Sequence, residues 1–204
     1  FLQRHNNSQP PDPRKVSRMT SPDSFPSVDL QDERVLNAAL REAVDFVQAE
    51  GWDQPATLFA LVPATLIADA APQAFDDDAP ANPLALVVQE DIPEDIRPGS
   101  EELGQFLATI RWPAPVVGAI LAQEITFSNA APGADPAPRQ ARLFSGLLCD
   151  ADFSGPERSL IQLRPSEEEL AEDPFGQDKV QLLGGDDIAP GVIHTLRATF
   201  EADE

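Results

Sequence analysis

Three β-like segments follow one another in the second half of the chain with no helical period between them. They are VVGAILAQEITF (116–127), RQARLFSGLLCD (139–150) and RSLIQLRP (158–165). The last two are joined by ADFSGPE, a turn-rich linker suited to a hairpin. Strands that succeed one another without an intervening helix pair antiparallel, because parallel pairing needs a long crossover. Shorter strands are expected at 58–62, at LALVVQED (84–91) and at KVQLLG (179–184).

Helical periodicity appears before, between and after these strands. In 30–50, Val35, Leu36, Ala39, Leu40, Ala43, Phe46 and Val47 fall on one stripe at three-, four- and seven-residue spacings. Asp29 is the expected N-cap and Gly51 the expected C′ residue. In 100–111, Leu103, Phe106, Leu107 and Ile110 make the same pattern behind Ser100, and Pro113 ends it. A closing helix is expected over 187–200, capped by Asp187, with Pro190 in its first turn and Ile193, Leu196 and Phe200 facing inward. A helical turn is expected at 64–70, and another after Ser166 in the acidic loop 165–177. The fold class is therefore α+β: a largely antiparallel sheet of five or six strands, with N-terminal, middle and C-terminal helices packed on one face.

Residues 1–28 are poor in aliphatic side chains and rich in Pro, Ser and Asn, so a disordered tail is expected there and a single α+β domain over 29–204. Met19 is the only methionine, and translation from it would drop the basic patch of Arg4, Arg14, Lys15 and Arg18. The tail lacks the apolar core of a secretory signal, which together with a single Cys points to the cytoplasm.

Composition excludes several classes. The net charge of −21 argues against binding a nucleic-acid backbone, which needs clustered Lys and Arg. No apolar run approaches the ~20 residues that span a bilayer. One Cys permits neither an intrachain disulfide nor a multi-thiolate zinc site.

No catalytic set assembles from the motifs. Cys149 stands beside Asp150, which disfavours a thiolate. Phe144-Ser145-Gly146 lies within a strand, not at a strand-to-helix elbow. His5 is in the tail, and His194 is off the inner stripe of the last helix. Asp150, Asp152, Ser154 and Gly155 match the start of a calcium loop, but Ile161 stands where a bidentate Glu is required. Asp76, Asp77 and Asp78 alternate sides if extended, and Gly184-Gly185-Asp186-Asp187 would repel phosphate. No metal and no cofactor are expected.

Two rare-residue clusters remain, Gly51-Trp52-Asp53-Gln54-Pro55 and Arg111-Trp112-Pro113. Each follows a helix and precedes a strand. Each Trp covers an end of the core, or the two flank a ligand or partner groove with Asp53 and Arg111 as its polar ends. Trp52, Asp53, Arg111 and Trp112 are the candidate site residues.

The same residues carry a resemblance. The helix ending at Gly51-Trp52-Asp53-Gln54-Pro55 and followed by Leu58-Phe59-Ala60-Leu61-Val62 resembles an uncharacterised actinobacterial family of acidic cytoplasmic proteins of about this length. The similarity continues through Ile110-Arg111-Trp112-Pro113, Val117-Gly118-Ala119, the hairpin from Arg142-Leu143 to Leu163-Arg164, and the stretch 182–196. It covers about residues 30–200, and it departs at Pro165, where the family pattern has Gly. The resemblance implies one domain and an actinobacterial, cytoplasmic protein, and no activity.

The leading functional expectation is a non-enzymatic, acidic interaction or adaptor domain with a protein partner or a second copy. The alternatives are a small-molecule enzyme or sensor with a groove near Trp52 and Trp112, and a DNA-mimic inhibitor.

Overall fold

A computed structural model describes residues 28–68, 83–89, 92–128, 132–133, 137–176, 182–185 and 188–201. All but the last residue of the expected tail, Asp76 to Asp78 and the expected cap Asp187 lie outside these residues. Helix α1 (Glu33–Glu50) is followed by β1 (Thr57–Pro63), α2 (Ala64–Ala68), β2 (Leu84–Gln89) and α3 (Glu101–Ala108). Then come β3 (Gly118–Phe127), β4 (Arg139–Leu148), β5 (Glu157–Leu163), α4 (Glu167–Glu172), β6 (Leu182–Gly185) and α5 (Pro190–Glu201). The six strands form one sheet in the order β2-β1-β3-β4-β5-β6, and every neighbouring pair is antiparallel. The α+β class and the helix positions agree with the reading of the sequence.

The helices do not share one face, as the sequence reading expected. Phe59, Ile120, Ala122, Phe144 and Leu148 point to α1 and its Leu36, Leu40 and Val44. The alternate residues Leu58, Leu121 and Leu147 point the other way, to Leu103 and Leu107 of α3 and Ile193 and Leu196 of α5. The reason is composition: β1, β3 and β4 are nearly continuous apolar runs, so both faces of the central sheet require cover.

Local rules set the ends of the helices. The α1 N-cap is Asp32, whose side chain accepts from the Arg34 amide, and not Asp29, whose carboxylate accepts from Gln31 one turn earlier. Gly51 ends α1 with φ 90°, in the left-handed region that favours glycine. Ser100 caps α3, and Ser166 and Glu169 form a capping box on α4. Phe46, expected on the buried stripe of α1, is 42% exposed and meets the Phe59 ring edge-on, with ring centres 5.5 Å apart. Gly146 lets α1 approach β4, because a Cβ there would lie 3.0 Å from both Leu40 and Ile120.

Candidate functional site

The four candidate residues divide between two clusters on opposite faces of the sheet. The first is built around Arg142, at the middle of β4 on the α1 face. It is a fully charged residue type only 1% exposed, directly opposite Glu124 in the ladder. Its Nη1 donates to Gln48 (3.2 Å) and Gln162 (3.3 Å), its Nη2 donates to the Gly51 carbonyl, and its Nε lies 4.0 Å from the Glu124 carboxylate. Nε makes no hydrogen bond. Burial pulls the Arg142 pKa down from the usual guanidinium value, and Glu124 opposes that shift.

The turn after α1 then closes over this guanidinium. Trp52 stacks on Arg142 at 3.9 Å, and Arg164 lies 5.3 Å from the same ring. Asp53, at φ 65°, binds Arg164 through two hydrogen bonds of 3.0 and 3.2 Å. Arg164 holds the Asp53 carboxyl below the usual carboxylate range. The Gln54 amide donates to Glu124 at 3.2 Å. Apart from Arg142 Nε, the hydrogen-bonding groups described above are engaged with one another. They tie the C-terminus of α1, whose last turn has no basic residue, to β4 and β5.

The second cluster lies on the face covered by α3 and α5. The Trp112 indole N–H donates to Thr199 at 2.7 Å, and its ring stacks on Phe200 at 5.8 Å. Arg111 turns back on α3, where its Nη1 donates to the carbonyls of Ala108 (3.1 Å) and Ile110 (2.9 Å). Beside these residues a cavity of about 290 Å³ opens over Leu58, Ile92, Phe106 and Ile110, with Gln89 and Thr109 at its polar parts. Arg111 and Trp112 therefore share a concave site. Trp52 and Asp53 are not part of it, and the groove spanning both tryptophans does not form.

A third feature went unnoticed in the sequence. β2 is one of the two edge strands of the sheet, with β6 at the other end, and among the described residues nothing pairs with its outer side. Its residues, LALVVQ, include no charge and no proline. Val87 and Val88 point to opposite faces and are 38% and 37% exposed. The absence of charge from the run was visible, but its place at the edge is a property of the sheet order.

The remaining chemical candidates have local explanations. Cys149 is buried at the end of β4, and burial raises its thiol pKa while Arg197 partly offsets the shift. Asp150 accepts from the amides of Asp152 and Ser154, the Ser154 hydroxyl and Gln31, which pulls its pKa down, and Arg197 of α5 donates to the Phe153 and Gly155 carbonyls of the same turn. Ser145 is buried within the sheet beside Ser159, and His194 is exposed on α5. Among the described residues no group of three His, Cys, Asp or Glu side chains is placed to hold a metal ion. No described helix is long and apolar enough to cross a membrane.

These features define a six-stranded antiparallel α+β domain clad by helices on both faces, with a Trp-walled cavity at one end of the sheet. The chain belongs to the PPA1309-like protein family, whose model matches residues 36–201, from within α1 to the last residue of α5. That description names no activity. No curated protein sequence and no solved structure matches the chain.

Proposed function

We propose that this protein is a non-catalytic interaction or adaptor domain that engages a protein partner by strand addition at β2. The observation that carries this reading is the uncharged outer edge of β2. An outer strand presents unpaired N–H and C=O groups, and natural edges are normally blunted by charge, proline or a bulge. In a chain of net charge −21, β2 has neither charge nor proline. Strand addition supplies main-chain hydrogen bonds, and the half-exposed Val87 and Val88 offer apolar contacts on either side. Phe46 extends the apolar surface on the α1 face, where it lies against Phe59. The surrounding acid favours a partner with basic residues flanking its strand. Acids stand on both α1 and α3, on opposite faces, which favours this reading over a DNA mimic with one phosphate-like row. The resemblance to acidic actinobacterial proteins supports action in the cytoplasm of such a cell.

The test is site-specific photo-crosslinking in cells from position 88, with position 168 on α4 as control. The expected result is one defined partner, crosslinked from 88 alone, lost in a Val87→Lys, Val88→Lys variant that still folds, and weakened by high salt. A crosslinked dimer of this chain assigns the edge to self-association instead. Equal capture from both positions, or capture that survives the double substitution, refutes the reading.

A further inference from the structure

We propose that the cavity beside Trp112 is a binding site for a small free carboxylic acid with a branched or aromatic tail. Leu58, Ile92, Phe106, Ile110 and Trp112 form its apolar part, Gln89 and Thr109 line it as well, and its volume of about 290 Å³ falls at the small end of ligand sites. The Trp112 wall is rigid, because buried Thr199 holds the indole N–H and Phe200 stacks on the ring. The polar end is Arg111. Two helix-end carbonyls engage its Nη1, at 3.1 and 2.9 Å, and orient the guanidinium. Its Nε and Nη2 have no hydrogen-bond partner among the described residues. These two donors form one edge of the planar fork, and a carboxylate fits that edge with both oxygens.

Charge decides between ligand classes. Arg111 is the one charged side chain among the described lining residues, and a cation at the rim favours an anion. The body's net charge of −21 repels a phosphate dianion about twice as strongly as a carboxylate, which favours the monoanion. The two Nη1 contacts restrict the guanidinium before binding, which lowers the orientation entropy to be lost.

The experiment uses the full chain and two probe pairs: 4-methylpentanoate and 3-phenylpropanoate, each with its primary amide. Binding is read from amide and indole shifts in NMR titrations. At least one acid should saturate and shift the Trp112 indole signal, with its amide weaker by about tenfold or more. Arg111→Gln should bring the acid down to the affinity of its amide while the amide spectrum stays that of the folded protein. Thr109→Trp, at the exposed rim, should abolish binding of both. Equal affinity for acid and amide overturns the proposal, as does no saturation by about 10 mM of either acid. Binding of a leucine-terminated peptide without binding of 4-methylpentanoate also overturns it and assigns the cavity to a protein C-terminus.

Discussion

Trp52 lies flat over the guanidinium of Arg142, 3.9 Å from its ring centre, and closes a buried cation beneath the end of α1. The pair explains how a helix without a basic residue in its last turn is anchored. Arg142 reaches from β4 to the Gly51 carbonyl, and the following Trp seals the contact from water.

Arg142→Met should therefore destabilise the domain by about 3 kcal/mol, since it removes the buried donor to the Gln162 side chain and the Gly51 carbonyl. Urea denaturation monitored by tryptophan fluorescence measures this. A loss below about 1 kcal/mol would show that water replaces the guanidinium and that the cluster is open.

The Asp53–Arg164 pair predicts an acid-side signature. Its folded pKa is depressed, so its contribution is present above the ordinary carboxylate range and is lost as pH falls through the folded value. Asp53→Asn should lower the melting temperature slightly at neutral pH, and the difference should begin to shrink near about pH 4 and disappear below the folded value. Both side chains are partly exposed, so the effect is small and shrinks in high salt. A difference that grows on acidification would contradict the pairing.

Two glycines should respond in opposite senses. Gly146→Ala places a methyl 3.0 Å from Leu40 and Ile120 and should destabilise by about 1–3 kcal/mol. Gly104→Ala, on α3 with nothing within 4 Å of the added carbon, should stabilise by about 0.5–1 kcal/mol. Paired denaturation curves test the sign. A Gly146→Ala variant as stable as the parent would mean that α1 does not approach β4 closely.

Cys149 should be slow to react. Burial raises its thiol pKa and limits access, so alkylation at pH 8 should be at least about tenfold slower than for a model thiol and should accelerate in urea. Rapid alkylation of the folded protein would reopen a nucleophilic role.

The period of the apolar residues was enough to place α1, α3 and α5 and to locate the strands, because helix and strand spacings are local properties of the chain. The consecutive strands also made the antiparallel class legible. The second helical layer was legible in principle: β1, β3 and β4 lack the polar alternation of a half-solvated sheet, and their continuous apolar runs already required cover on both faces. The cap of α1 moved from Asp29 to Asp32 because two acids near the helix start compete for the same amides, and residue type alone does not rank them.

The candidate residues were legible one by one, but not their grouping. Rarity and position marked Trp52, Asp53, Arg111 and Trp112, each at a junction between a helix and a strand. The order of residues also determined where the chain turns, which side of each helix is apolar, and how acidic the surface is, since these depend on neighbours a few positions apart. Burial of Arg142 under Trp52, the separation of the two tryptophans onto opposite faces, and the outer edge of β2, unpaired among the described residues, depend on strand order and register. Those are set by contacts between residues distant in sequence, and they exist only once packing has selected one arrangement of the whole sheet.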